Sequence, residues 1–330
     1  MNSVVLFGDI NVDFLMSIPR YPPAGGDAMA GHFAIRPGGS VANTAIVLAK
    51  LGMKTRLIGR VGNDIWAENA LQPLIDSGVD LTHVSRDPVD STGLIFIPVT
   101  RDGERTMFSY RGANIHKPAG EIEPGILDLA DFLHISSYNL LESPQREATY
   151  TLIDLARNRG LKISVDVGVE PALRLRDELI QMMPYLSLVV LSVEEAQNLV
   201  DAETPHEIST QLLDQGVSLV GLKLGRSGCL VAGPRSHHFI PGFAVDTVDT
   251  TGAGDSFCAG FIYSCVSGLG LGACGVIANA LGALATTVWG CGLALPGRAE
   301  LDEFLHQQGE DAEDPELGGW IIEARTRLSG

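Results

Sequence analysis

Basic residues are scarce in this chain. It carries 23 Lys and Arg against 40 Asp and Glu in 330 residues, a net charge of −17. Such a surface repels nucleic acid backbones and anionic membranes, so neither is expected as a partner. Cysteine is also sparse. There are five, none in a C-x-x-C pair, and their apolar neighbours suit reduced, buried thiols in a cytoplasmic protein rather than a disulfide framework. The eight histidines show no metal-ligand spacing, and His237-His238 reads as a strand edge or loop. A G-x-x-x-x-G-K-[ST] loop is missing, which excludes a Walker-type NTPase. Met1 to Asp9 lacks the basic opening of a signal peptide. Residues 256–297 contain no Asp, Glu, Lys or Arg. Glycine interruptions, Asn279 and the lack of flanking Lys/Arg clusters make this stretch two buried helices rather than a membrane span. Gly270-x-Gly272-x-x-Gly275 inside it fits a dinucleotide fingerprint as a pattern. It follows no strand and no acid lies about 20 residues on, so it reads as a helix–helix junction.

At 45% hydrophobic, the chain can bury one large core or two ordinary ones. Ser3–Phe7 is an apolar run ending at Gly8-Asp9, a first strand. Residues 13–37 read as irregular, with Pro19, Pro22, Pro23, Gly25 and Gly26. A helical pattern opens at Gly38-Gly39-Ser40, a strand follows at Thr55–Gly59, and Asp64 caps a helix to Ser77. Residues 92–98 and 105–110 form a hairpin turning at Arg101-Asp102-Gly103-Glu104. From Phe132 onward strands and helices alternate, which predicts an α/β fold with a mainly parallel sheet and ligands at the carboxyl ends of its strands. The segments 13–37 and 92–111 do not fit the alternation and suit a small β lid. Residues 309–330 read as a peripheral acidic tail.

Thr250-Thr251-Gly252-Ala253-Gly254-Asp255 is the most informative stretch. Unpaired N–H groups at a helix start attract phosphate, and two glycines allow close approach. A carboxylate beside a bound phosphate makes sense mainly as a proton acceptor. The combination points to phosphoryl transfer onto a hydroxyl, with Asp255 as base. An ordinary glycine turn capped by Asp is the plainer alternative.

Two separated motifs weigh against that alternative. Gly38-Gly39-Ser-Val-Ala-Asn43-Thr-Ala45, continuing to Gly59-Arg-Val-Gly62-Asn-Asp64, and Asp249-Thr-Thr-Gly252-Ala-Gly254-Asp255-Ser-Phe-Cys-Ala-Gly260 together resemble the two signatures of the ribokinase-like (PfkB) carbohydrate kinase family. The similarity runs from Gly8 to about Pro296. It implies a doubly wound α/β kinase domain over residues 1–308, with a β-sheet lid. It implies an ATP-dependent, Mg²⁺-assisted transfer of the γ-phosphate to a sugar's primary hydroxyl. Gly252, Ala253 and Gly254 would form the anion hole.

Further roles follow from the same resemblance. Asn11 and Asp13 match sugar-hydroxyl ligands, although turns also favour such residues. Gly38, Gly39 and Asn43 match the second part of the sugar pocket, or merely open a helix. Arg111 is a lid residue able to reach a substrate oxygen or carboxylate; a solvated strand end is its alternative. Glu142 matches a sugar-contacting acid, or lies on the surface. Ser192 stands where the family often has Asn, and Glu195 matches an acid holding Mg²⁺ through water, or sits at a solvated helix start. Lys223 and Gly225 match the strand end near the ATP phosphates. Asn279 matches a position beside the adenine, or is a core amide. Asp249 and Thr251, with Gly290 and Ala294, match a monovalent-cation site, so K⁺ is a possible cofactor. Members that take phosphorylated sugars commonly carry Lys where Ser40 stands. An unphosphorylated pentose, hexose or keto-deoxy sugar acid is therefore expected. A nucleoside kinase of the adenosine/inosine type is the alternative, and a non-catalytic sugar-binding regulator a further one. The family also implies a homodimer through the lids.

Overall fold

Among the described residues, nine strands build one sheet and four build another. The computed structural model describes residues 2–100, 105–310 and 312–329. The chain runs β1 (Ser3–Phe7), β2 (Asn11–Ser17), β3 (His32–Gly38), α1 (Ser40–Lys50), β4 (Lys54–Gly62), α2 (Ile65–Asp76), β5 (Asp80–Asp87), β6 (Gly93–Val99), β7 (Phe108–Tyr110) and β8 (Phe132–Ser136). It continues through α3 (Gln145–Asn158), β9 (Lys162–Asp166), α4 (Val169–Arg174), α5 (Arg176–Met182), β10 (Leu188–Ser192), α6 (Val193–Gln197), α7 (Pro205–Asp214) and β11 (Val220–Lys223). Strands β12 (Gly228–Gly233) and β13 (Ser236–Pro241) precede α8 (Ala253–Ser267), α9 (Leu271–Ala285), α10 (Arg298–Glu310) and α11 (Pro315–Ser329).

The large sheet has the order β13-β12-β11-β10-β9-β8-β1-β4-β5. From β5 to β11 every pairing is parallel, and β12 and β13 extend the edge antiparallel. Helices cover both faces, which is why β1 reads as an unbroken apolar run: Val4, Val5, Leu6 and Phe7 are all fully buried. One core lies between the sheet and helices α1, α2 and α8 to α11, the other between the sheet and α3 to α7. Helices α8 and α9 pack against each other inside the first core, so their lack of charge reflects burial on nearly all sides. The strand order reverses at β1, whose neighbours are β4 and β8. That reversal opens a crevice at the strands' carboxyl ends.

The small sheet has the order β3-β2-β6-β7, with β2 and β6 parallel. Here the irregular reading of 13–37 is corrected. β2 and β3 pair antiparallel over seven residues, and Pro19, Pro22, Pro23, Gly25 and Gly26 all lie in the connection between them. Phe14 anchors this sheet to α2, with its ring edge-on to Trp66 at 5.0 Å. The turn expected at Arg101–Glu104 lies outside the described residues. Strand β5, absent from the sequence reading, forms the opposite edge of the large sheet.

Residues 315–329 also depart from expectation. They form helix α11, which buries Ile321, Ala324 and Leu328 and lays Trp320 over Gly272, where a Cβ would come within 2.1 Å of the indole. The tail is thus packed onto the core rather than peripheral. Gly270, Gly272 and Gly275 sit at the start of α9, and a Cβ on Gly275 would meet Ile240 and Val231. Close packing accounts for them, as expected of a helix junction.

Candidate active site

Asp255 lies in the first turn of α8, whose N-cap is Gly252. Gly252 has φ 78°, a left-handed conformation costly for any side chain, and an added Cβ would meet Leu295 at 2.8 Å. The Ala253 N–H donates to the Thr250 carbonyl at 3.3 Å, and helix geometry leaves the next N–H groups of the first turn of α8 without an intrahelical partner. Asn43, on α1, donates from Nδ2 to Asp255 Oδ2 at 2.8 Å. Thr44 donates to the Asp255 carbonyl at 3.2 Å. The two glycine motifs therefore meet at this carboxylate across more than 200 residues of chain. Burial pushes Asp255 up to about 6; the Asn43 hydrogen bond opposes this, and the nearby Asp166 charge adds to it.

Asp13 faces the same space from β2. It is buried, its Oδ1 has no hydrogen-bond partner, and burial together with the Asp255 charge pushes it up to about 7. Gly38 makes room for it: a Cβ there would lie 2.1 Å from Asp13 Oδ1. Asn11 accepts at Oδ1 from Asn114 Nδ2 at 2.8 Å, and Asn114 Oδ1 in turn accepts from the Ile10 N–H at 2.9 Å. Gly39 packs its Cα against the Asp9 carbonyl, which a Cβ would approach to 2.3 Å.

Arg111 is paired with the acid that follows β1. Its Nε and Nη2 both donate to Asp9 at 2.8 Å in a two-pronged pair, and Nη2 also contacts Gln145. Only Nη1 is left without a hydrogen-bond partner, 3.6 Å from Glu142 Oε1. Glu142 itself is half exposed.

On the other side of Asp255 the strand ends supply a charge cluster. Lys223 Nζ donates to Asp166 Oδ1 at 3.3 Å and lies 3.7 Å from Glu195 Oε2. Burial works against the Lys223 charge, but the two carboxylates outweigh it and raise its pKa. A Cβ on Gly254 would sit 3.6 Å from Nζ, so the ammonium adjoins the glycine turn. Ser192 and Glu195 form a reciprocal capping box at the start of α6. Asp166 was missed in the sequence reading. It joins the two halves of the site, because its Oδ2 accepts from Ser40 Oγ at 3.1 Å while Oδ1 holds Lys223. The signal for it was its place at the end of a central parallel strand.

Beyond Lys223 a cavity of about 740 Å³ opens along the glycine turn, lined by Gly225, Gly254, Phe257, Asn279 and Thr286 among others. Asn279 is nearly buried at its wall and donates to the Pro241 carbonyl at 2.7 Å. Among the described residues no three His, Cys, Asp or Glu side chains converge as a metal cage. Asp249 accepts at Oδ1 from the Thr251 N–H and hydroxyl, and at Oδ2 from the Gly290 N–H. Arg105 donates from Nη1 to Thr251 Oγ1 at 2.9 Å and lies 3.7 Å from Asp249 Oδ1.

The pattern that describes the pfkB family carbohydrate kinases matches residues 1–312. The chain belongs to this family. The kinase is 27% identical to a ribokinase of Haemophilus influenzae over 310 residues, covering 92% of this chain and 98% of that protein. It is 28% identical to fructokinase-1 of Zea mays over 319 residues, covering 92% and 98%. Its fold superposes on the solved structure of Arabidopsis thaliana ribokinase complexed with ribose and ATP at a TM-score of 0.80 and 25% identity, covering 92% and 99%. It is a phosphotransferase of the ribokinase and fructokinase type that acts on a sugar hydroxyl. No helix among the described residues is long and apolar enough to cross a membrane.

Proposed function

We propose that this kinase transfers the γ-phosphate of ATP to a primary hydroxyl of an uncharged, unphosphorylated pentose or hexose. The observation that carries this is the pairing of Asp255, poised near pH 6 at a helix start, with the unpartnered Asp13 oxygen opposite it. Asp13 and Asn11 hold the sugar's hydroxyls, and Gly38, Gly39 and Asn43 close the pocket behind it. Asp255 accepts the proton as the hydroxyl oxygen attacks. The N–H groups of Gly252, Ala253 and Gly254 and the Lys223 ammonium receive the charge that builds on the phosphoryl oxygens. The nucleotide lies in the cavity beyond Lys223, between Gly225 and Asn279. Asp166 and Glu195 both flank Lys223, which lines this cavity. That donor set fits Mg²⁺, which keeps most of its waters and binds through one or two carboxylates plus substrate phosphates. When bound, the ion neutralises phosphate charge.

The committed state of Arg111 favours a neutral sugar over a keto-deoxy acid. Binding a carboxylate through a two-pronged pair requires the fork of the guanidinium, and Asp9 occupies it. Nη1 remains for a hydroxyl, beside Glu142. The outer lid carries exposed Phe33, Phe96, Phe108 and Tyr110, an apolar face that supports a lid-to-lid homodimer. Sedimentation at micromolar concentration tests it: a monomer removes the dimer.

A panel measuring ATP consumption decides the substrate class, with phosphorylated products identified by mass spectrometry. Ribose, fructose and other neutral sugars are expected to turn over. Turnover of adenosine or inosine alone would establish the nucleoside reading instead. Sugar-dependent thermal stabilisation with no ATP consumption on any acceptor would establish the binding-protein reading.

A further inference from the structure

The position expected to hold a monovalent cation is already occupied by a side chain. Asp249 spends one oxygen on the Thr251 N–H (2.9 Å) and hydroxyl (2.8 Å) and the other on the Gly290 N–H (3.0 Å), which stitches the two loops of that position together. Arg105 then approaches from the segment between β6 and β7. Its Nη1 donates to Thr251 Oγ1 at 2.9 Å, its other terminal nitrogen donates to Thr250 Oγ1, and its charge stands 3.7 Å from Asp249 Oδ1. The Asp249 side chain is 9% exposed and that of Arg105 27%, although Arg105 lies on an exposed stretch, so solvent screens this charge in part. A second cation beside the guanidinium would meet like-charge repulsion, and both carboxylate oxygens already have donors. These residues do not fit a K⁺ ion while Arg105 is in place.

We propose that Arg105 is the built-in cation of this loop, and that phosphoryl transfer by this kinase requires no monovalent metal. Arg105 is a positioning residue. It acts through Thr250 and Thr251, which lead directly into the Gly252 turn, and it neutralises Asp249 beside the loop that receives the phosphate. Because Arg105 belongs to the lid sheet's β6–β7 connection, where it bridges to Val99, the charge arrives with the lid. The role in turnover rests on the kinase reading above.

The experiment compares wild type, Arg105→Ala and Arg105→Lys in KCl and in tetramethylammonium chloride at equal ionic strength. Wild type should show the same kcat and the same KM for ATP in both salts. Arg105→Ala should lose at least about tenfold in kcat/KM for ATP in tetramethylammonium, the scale of one charged hydrogen bond. KCl should restore part of that loss. Arg105→Lys should retain most activity in both salts, which a merely structural arginine would not require. Thermal unfolding of the substrate-free proteins gives a second measurement that needs no turnover. K⁺ should leave the wild-type midpoint unmoved and raise that of Arg105→Ala. Wild-type activation by K⁺, or a K⁺-dependent rise of its melting point, overturns the proposal. Absence of turnover in every salt would count against the kinase reading alone, since the unfolding comparison still decides the place of Arg105.

Discussion

Removing the Asn43 amide should change the pH at which the kinase works. Asn43 Nδ2 donates to Asp255 Oδ2 at 2.8 Å, a bond that favours the ionised carboxylate. A hydrogen bond to a charged group contributes about 1.5–3 kcal/mol, and about 1.4 kcal/mol corresponds to one pH unit. Asn43→Ala should therefore move Asp255 from about 6 to roughly 7–8. The sign is fixed: losing the donor favours the protonated form, which cannot accept the sugar's proton. At pH 7 the ionised fraction would fall from roughly nine-tenths to between a half and a tenth. Asp13, near 7, titrates alongside Asp255, so wild-type activity should decline in two overlapping steps as pH falls. The variant should show the lower step moved up until the two merge. The assay is kcat/KM for the sugar across pH 5 to 9.5, with ATP saturating. A loss that is uniform with pH would mean that Asn43 only touches substrate. An acid limb unmoved or moved downward would refute the coupling.

Asp13→Asn should be more stable than wild type at pH 8. The folded carboxyl is raised to about 7, so the stability it contributes when protonated is complete below pH 4 and gone above pH 7. Unfolding free energies from denaturant titration should change their gap by up to about 4 kcal/mol between those limits, and a constant gap would refute the assignment. Gly38→Ala would put a methyl carbon 2.1 Å from Asp13 Oδ1. Displacing that carboxylate by about an ångström should cost roughly a hundredfold in kcat/KM with the circular dichroism spectrum unchanged, and near wild-type turnover would sink the role given to Asp13. Leu328→Ala, in α11, should cost about 3 kcal/mol in chemical denaturation, since Leu328 is 3% exposed. A cost below about 1 kcal/mol would mean that the terminal helix is only loosely attached.

Periodicity and punctuation carried most of the architecture. The helix starts at Ser40 and Ile65 stand where the glycine pair and Asp64 had put them, and strands alternate with helices from Phe132 to Lys223 as expected. The two charge-free helices were legible because a stretch without Asp, Glu, Lys or Arg must be buried nearly all round. Strand β5 was not, because it is an edge strand with Asp80, His83, Arg86 and Asp87 along it, and its apolar Leu81 and Val84 are only partly buried. The lid strands β2 and β3 were hidden by the prolines of their connection. Helix α11 starts inside an acidic stretch, and its value comes from Trp320 meeting Gly272, a contact no local pattern encodes. Within the site, the contacts that join residues across the sheet were not readable. Asp166 reaches Ser40 over 126 residues and Lys223 over 57. Arg111 carried no sign in the sequence that Asp9 would claim its fork.

Only Gly8, Asp9 and Ile10 separate the last residue of β1 from the first of β2, and only Gly39 lies between β3 and α1. So short a pair of tethers resists sliding of the small sheet more than tipping, like a visor on two rivets. Asn11 and Asp13 ride on the visor, whereas Asp255 is fixed in the body. On the roles proposed above for Asp13 and Asp255, the angle of tip would set the aim of the attacking oxygen, and a sugar that props the visor a few degrees too wide would be held firmly yet pointed past the phosphorus.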